Sequence, residues 1–238
     1  LTNYATNLIR ENQQENGTLG RLPIQDVPQV KLLYNPTMKS AYNIVPGVIG
    51  MVLMLVCAMI TSVSLASEKE MGTLEVILVS PMPPLLIVLS KVVPYFTISM
   101  INLFNVLLLA VFVLEVPIVG NLFLLIFVSL LFIFVALALG ILISTLVETQ
   151  LVALLASVMG LLMPVVMLSG LMVPIENMPI ILQYVAQIIP AKWYIEAMRD
   201  VMIKGLGISA IIKEILVLTL MAVVLITISL KKFKIRLE

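Results

Sequence analysis

The sequence contains no histidine, only one cysteine and few charged residues. Its 238 residues include 14 Lys plus Arg and 13 Asp plus Glu, so that charged side chains make up 11% of the chain and the net charge is +1. One cysteine, Cys57, excludes an internal disulfide, and without histidine or a second cysteine we expect no metal site. The small net charge argues against a nucleic-acid-binding surface, which requires clustered basic residues.

Apolar residues, in contrast, are abundant. They make up 61% of the chain, and the mean hydropathy is +1.18. Soluble domains contain about 45–50% apolar and about 25% charged residues. Because the chain has too few polar side chains to cover a water-exposed surface, the composition predicts a protein that is surrounded by lipid.

Five stretches are long and apolar enough to cross a bilayer as helices, which takes about 20 residues each. They are predicted at 42–66, 92–114, 122–147, 151–173 and 208–230. Pro117 and Gly120 favour a turn between the second and third spans, and the polar triplet Glu148-Thr149-Gln150 separates the third from the fourth. Strands of a membrane barrel would alternate apolar and polar residues, which these stretches do not. The predicted fold class is therefore an all-α polytopic membrane protein.

The polar segments suggest an orientation. Residues 1–41 resemble the end of an extracytoplasmic segment, and because the chain starts at Leu1 we expect that a preceding span has been removed. The tail, 231–238, carries a basic cluster that favours the cytoplasm, formed by Lys231, Lys232, Lys234 and Arg236. This orientation puts 67–91 inside and 174–207 outside.

The run from Ser67 to Glu75 is the most informative polar stretch. Ser67 and Glu70 have the S-x-x-E spacing of a capping box, which predicts the start of a short helix with its carboxylates at the favourable end of the dipole. Gly72 permits a bend. Two interpretations remain open: a short amphipathic helix at the membrane surface, or a solvated loop with ordinary caps.

A second stretch, Pro174–Gly207, alternates apolar and polar residues. Trp193 and Tyr194 suit an interfacial aromatic belt, because each has an apolar body and a polar tip. Glu196 and Asp200, at i and i+4, suggest the wet face of an amphipathic helix. The stretch is interpreted either as an outer gate or as a simple interfacial anchor.

Several of these residues together carry a family resemblance. The chain resembles the ABC-2 type permease family over Asn35–Leu230, in particular the branch with a large extracytoplasmic domain between its first two spans. This chain lacks a first span and most of that domain. The residues that carry the resemblance are Asn35-Pro36, Val45-Pro46-Gly47, Glu68-Lys69-Glu70-Met71-Gly72-Thr73-Leu74-Glu75, Ser80-Pro81 and Lys91.

The resemblance implies two functional regions within a transmembrane domain at 42–230. The loop after the first span would hold a short cytoplasmic coupling helix that docks on a separate ATPase subunit, with contacts from Glu68, Glu70, Gly72, Thr73 and Glu75. The stretch before the last span would form an outer re-entrant helical hairpin, with a gate at Pro174, Pro190, Trp193 and Tyr194.

The resemblance implies the permease subunit of an ATP-binding cassette exporter in the bacterial plasma (inner) membrane. Such a chain is not catalytic by itself and binds no cofactor; the partner ATPase would use ATP and Mg. The 238 residues contain no G-x-x-x-x-G-K-[ST] phosphate loop, which fits this division of labour. The other partners it implies are a second permease chain, in a homodimer or heterodimer, and a periplasmic adaptor.

Two other functional classes remain. A membrane anchor or assembly subunit would bind the ATPase without moving substrate. An intramembrane enzyme would need paired catalytic groups within the spans, and the sequence offers no histidine and no such pair. The enzyme is therefore the least favoured of the three.

Overall fold

The computed structural model describes residues 41–72, 84–172 and 174–235, and all regular structure within these ranges is helical. The predicted segment 1–40 and the end of the basic tail, 236–238, lie outside the described residues. The α-helices, numbered along the described chain, are α1 (Ala41–Glu70), α2 (Pro84–Leu108), α3 (Leu122–Leu146), α4 (Gln150–Leu168), α5 (Ile180–Ala186), α6 (Pro190–Met202) and α7 (Ile212–Ile235).

The five predicted spans are confirmed as α1, α2, α3, α4 and α7, which are long and apolar enough to cross a membrane. Their ends differ from the prediction in both directions. Helix α1 continues four residues beyond position 66, and α2 begins at Pro84 instead of position 92. Helix α4 ends at Leu168 instead of position 173. A π-helix, Leu109–Val113, completes the second span.

Local sequence explains where these helices begin and end. Proline is favoured in a first turn because its missing N–H needs no partner there, and Pro84 is the first residue of α2. The side chain of Asn121 accepts a hydrogen bond from Phe123 N at 2.9 Å and so caps α3. Helix α4 ends at Leu168, two residues before Gly170, whose φ of +77° only glycine adopts without strain.

Helices α1 and α3 form the centre of the bundle. Within their most apolar stretches 56% of α1 and 50% of α3 is buried, against 22% or less of the other three spans. The two axes come close at Gly140, where an added Cβ would lie 2.6 Å from Ala58 O. The outer spans leave large apolar side chains exposed, such as Phe104 on α2, Met159 on α4 and Leu220 on α7. These faces suit contact with lipid.

The stretch between α4 and α7 contains a 3₁₀ turn at Ile175–Asn177 and the helices α5 and α6. Helix α6 packs against α1, α3 and α7, and it is buried along most of its length. The turn between α2 and α3 also contacts it, since Val119 N donates to Met202 O at 2.9 Å. We call this side of the bundle the α6 end.

The opposite side of the bundle is where α1 and α3 end and α4 begins. Side chains from the last turn of α1 reach the turn between α3 and α4 there. We call it the Lys69 end. The two regions that the sequence singled out therefore lie at opposite ends of the same helices.

Candidate functional sites at the two ends of the bundle

The end of α1 differs from the predicted capping box. Ser67 and Glu70 belong to the last turn of α1 and do not start a new helix. Met71 N donates to Ser67 O, and Gly72 N donates to Lys69 O, both at 3.0 Å. Gly72 then takes a φ of +70° and ends the helix. The prediction failed because the first span is longer than its purely apolar part.

Lys69 and Glu70 have partners in other helices, which explains why α1 extends to them. Lys69 Nζ donates to Ser144 O at 2.6 Å and to Val147 O at 2.7 Å. Glu70 Oε2 accepts from Gln150 N at 3.0 Å. One turn of α1 thus bonds to the end of α3 and to the beginning of α4.

Three of the five predicted coupling residues lie within the described part of the chain. Glu68 is half-buried, whereas Glu70 and Gly72 are exposed. Thr73 and Glu75 lie outside the described residues. The structure therefore places the beginning of the predicted coupling segment at an exposed helix end.

At the α6 end, both predicted belt residues are buried inside the protein. Trp193 is 6% exposed and Tyr194 is fully buried. Trp193 Nε1 donates to Gln187 O at 2.9 Å, so that its polar tip is satisfied within the chain. The belt prediction was wrong because α6 lies between α1, α3 and α7, which cover the aromatic rings that lipid would otherwise contact.

Tyr194 joins α6 to α3. Its ring stacks on Phe132 with centroids 4.2 Å apart and planes 3° from parallel. Its hydroxyl and Ser129 Oγ are 2.9 Å apart and share a hydrogen bond. Burial raises the pKa of the Tyr194 phenol, and the hydrogen bond with Ser129 opposes that shift. Tyr194 is therefore a neutral, firmly held contact between the two helices.

Replacing Tyr194 with phenylalanine should remove the hydrogen bond and keep the ring stack. We expect a loss of about 0.5–1.5 kcal/mol in the free energy of unfolding, the usual net contribution of one hydrogen bond. The measurement is an SDS titration of the purified chain in mixed micelles. Tyr184→Phe is the matched control, because Tyr184 is 73% exposed. If Tyr194→Phe and Tyr184→Phe lower the free energy of unfolding equally, the hydrogen bond between Tyr194 and Ser129 does not stabilise the fold as assigned.

Oppositely charged side chains of α6 pair beside Trp193. Lys192 Nζ lies 3.8 Å from Glu196 Oε1 and donates to Gln187 Oε1 at 2.8 Å. It also lies 4.4 Å from the centroid of the Trp193 ring. Burial lowers the pKa of Lys192 and raises that of Glu196, and the attraction between the two opposes both shifts. The predicted wet face is thus only half-exposed, and its charges neutralise one another.

Arg199, on the same helix, contacts two other elements. Its Nη2 donates to Gly170 O at 3.0 Å and to Asn43 O at 3.2 Å. Burial lowers the pKa of its guanidinium, while Glu196 and Asp200 oppose that shift. Arg199 therefore connects α6 to the beginning of α1 and to the turn after α4.

The two predicted gate prolines lie in different surroundings. Pro190 is buried and starts α6, whereas Pro174 is exposed and precedes the 3₁₀ turn. The sequence did not single out Lys69 or Arg199 as contacts between helices. Their partners are backbone carbonyls more than 25 positions away, and a carbonyl carries no residue-type signal.

No group suited to hold a metal ion occurs among the residues that the structure describes. The polar side chains at both ends of the bundle instead bond to helix ends and to one another. Chemically, both ends are suited to positioning helices.

Comparison with known proteins identifies relatives for nearly the whole chain. The profile described as ABC-2 family transporter protein matches residues 1–231. The chain is 32% identical over 216 residues to the probable multidrug ABC transporter permease YbhS of Escherichia coli, covering 91% of the chain and 57% of that protein. It is 30% identical over 209 residues to the probable multidrug ABC transporter permease YbhR of the same organism, covering 88% of the chain and 56% of that protein.

A more distant relative is eukaryotic. The chain is 28% identical over 218 residues to ABC transporter G family member 20 of Dictyostelium discoideum, covering 87% of the chain and 29% of that protein. No solved structure matches the chain. The chain thus spans somewhat more than half the length of the two bacterial relatives.

Proposed function

The chain belongs to the ABC-2 family of transporter proteins, and we propose that it forms the membrane path of an ATP-driven exporter. The single observation that carries the proposal is the family match over 1–231, on a bundle with five helices that are long and apolar enough to span a membrane. Members of this family are transporter permeases and not enzymes by themselves. The chain is accordingly a multi-pass membrane protein, and transport by it would need an energy source.

We place ATP hydrolysis, with its Mg, on a separate ATPase subunit. The lack of a phosphate loop in the 238 residues supports this assignment. We also propose that the permease acts as a homodimer or heterodimer in the bacterial inner membrane. The bacterial relatives named multidrug permeases support export of varied organic compounds, and a periplasmic adaptor would extend the path outward.

The Lys69 end is proposed to face the cytoplasm and the ATPase. Helix α1 ends at Glu70, and Gly72, two residues further on, has a left-handed conformation that does not continue a helix. The following segment would then dock on the ATPase, with contacts from Glu68, Glu70, Gly72, Thr73 and Glu75. The α6 end would face outward, and its buried helix would close the exit, with Pro174, Pro190, Trp193 and Tyr194 as parts of the gate.

The test is whether a charge reversal at Glu75 separates the permease from its ATPase. The protein is expressed together with its ATPase subunit, and the two are purified together in detergent. We expect Glu75→Lys to abolish co-elution, because an unfavourable charge at a docking surface costs several kcal/mol. Glu176→Lys is the control, since Glu176 is an exposed acid at the α6 end.

A transport measurement distinguishes an exporter from a membrane anchor. Inside-out vesicles that contain the complex should take up ethidium only when ATP is present. Co-elution without ATP-dependent uptake of ethidium or of a panel of similar dyes would favour the anchor. If Glu75→Lys and Glu176→Lys co-elute equally well with the ATPase, the proposed docking segment is wrong.

A further inference from the structure

The end of α1 presents two adjacent and oppositely charged residues, Lys69 and Glu70, to two helix ends of opposite polarity. Lys69 Nζ donates to Ser144 O, in the last turn of α3, and to Val147 O, which directly follows the helix. The last carbonyls of a helix have no partner within it, and the helix dipole is negative there. A lysine ammonium is therefore well suited to this position.

Glu70 complements the other helix. Its carboxylate accepts from the N–H of Gln150, the first residue of α4, where N–H groups lack partners and the dipole is positive. Each charge of the pair thus meets the helix end that it stabilises. Exchanging the two residues would put both charges against unfavourable dipole ends.

We propose that Lys69 and Glu70 form a clasp that makes the end of α1 and the turn between α3 and α4 one moving unit. A displacement of the segment that follows α1 would then pass directly into α4. Lys69 and Glu70 are positioning residues in this scheme. The role of the clasp in transport rests on the proposed function. The connection that the clasp makes between α1 and α4 does not.

Close packing between α1 and α4 supports this transmission. Next to the clasp, Ala66, Val147 and Ala153 form a small buried cluster. One turn further along, Ser62 Oγ and Ser157 Oγ are 2.6 Å apart and share a buried hydrogen bond. Short side chains let the two helices approach closely, and a contact of this kind leaves little room for sliding.

The far ends of the same two helices are also joined. Arg199 bonds to Asn43 O near the start of α1 and to Gly170 O after α4. Helices α1 and α4 are therefore fixed to each other at both ends and in between. A displacement of these two helices at the Lys69 end would therefore also displace their other ends, at the α6 end.

Distance measurements in the full-length complex test the link directly. Spin labels are placed at Met71→Cys and Leu151→Cys, two exposed positions on either side of the clasp. In the wild-type background we expect one narrow distance that is the same with and without bound ATP. In Lys69→Met we expect a broad distribution. A wild-type distance that changes between nucleotide states would overturn the proposal.

Transport supplies the second measurement. In Lys69→Met we expect the ethidium moved per ATP hydrolysed to fall at least about fivefold, the low end of coupling between distant sites, while the complex still co-elutes. Lys204→Met is the control, because Lys204 forms an i,i+4 pair with Asp200 at the α6 end. An unchanged transport ratio in Lys69→Met would contradict the role of the clasp.

Glu70 permits a finer test by hydrogen exchange at the Gln150 amide. Glu70→Ala removes the acceptor and should expose this amide to exchange. Glu70→Gln keeps an acceptor oxygen and should keep the amide protected. If the Gln150 amide loses its protection in both variants, or in neither, the hydrogen bond from Gln150 N to Glu70 is refuted. If the wild type moves no ethidium, the proposed function fails, but the distance and exchange data still decide whether the clasp exists.

Discussion

Replacing Gly140 with alanine is expected to lower the free energy of unfolding by about 1–3 kcal/mol or more, the range for forcing atoms into a filled core. The added Cβ would lie 2.6 Å from Ala58 O, 2.8 Å from Thr61 Cβ and 3.0 Å from Ala58 Cα. Two of these atoms belong to the backbone of α1 and cannot rotate away. The two central helices would have to separate.

Separation of α1 and α3 would affect the whole bundle, because these two are the most buried of its five spans. Thr61 and Ala58 are themselves fully buried next to Gly140. Moving α1 outward would open a gap along the contact that it makes with α3. Unfolding is measured by SDS titration of the chain in mixed micelles and followed by the fluorescence of Trp193, its one tryptophan.

Gly160→Ala is the matched control. Gly160 also lies within a span, in α4, but an added Cβ there would meet nothing within 4 Å. Alanine is favoured over glycine in a helix by about 0.5–1 kcal/mol, so this variant should be as stable as the wild type or slightly more so. Similar destabilisation by both variants would show that loss of glycine itself, and not the α1–α3 contact, is responsible.

The sequence predicted the five spans because bilayer crossing leaves a strong signal of length and apolarity. The most accurately predicted span is the third, which was predicted at 122–147 and is observed as Leu122–Leu146. Asn121 on one side and the triplet Glu148-Thr149-Gln150 on the other bound a stretch there that contains no charged residue. The ends of the other spans depend on contacts between helices. Helix α1, for example, extends to Glu70 because its last turn bonds to α3 and α4.

Local motifs were less informative where tertiary contacts compete with them. The spacing of Ser67 and Glu70 matches a capping box, yet the Glu70 carboxylate bonds to a residue 80 positions away. Trp193 and Tyr194 have the chemistry of interfacial residues, but hydrogen bonds to Gln187 O and Ser129 allow both to be buried. A sequence shows which polar atoms need partners, but the fold determines where the partners lie.

Replacing Arg199 with methionine is expected to cost about 1.5–3 kcal/mol, the range for hydrogen bonds that involve a charged group. The change leaves Asn43 O and Gly170 O without this donor, and it leaves Glu196 and Asp200 without the positive charge between them. Arg199→Lys should retain little of the stability that Arg199 contributes, because a single ammonium lacks the planar fork of a guanidinium. Unfolding is again followed by SDS titration.

The emission of Trp193 gives Arg199→Met a local readout. Trp193 is buried on the same helix, so loosening of α6 should shift its emission to the red and increase its quenching by acrylamide. Lys204→Met is the control: the Lys204–Asp200 pair is partly exposed, and such pairs contribute about 1 kcal/mol or less. If the emission of Arg199→Met stays that of the wild type, α6 is held by its packing against α1, α3 and α7 alone. A red shift would instead identify Arg199 as the residue that fixes α6 to the ends of α1 and α4, the same two helices that Lys69 and Glu70 join at the opposite side of the bundle.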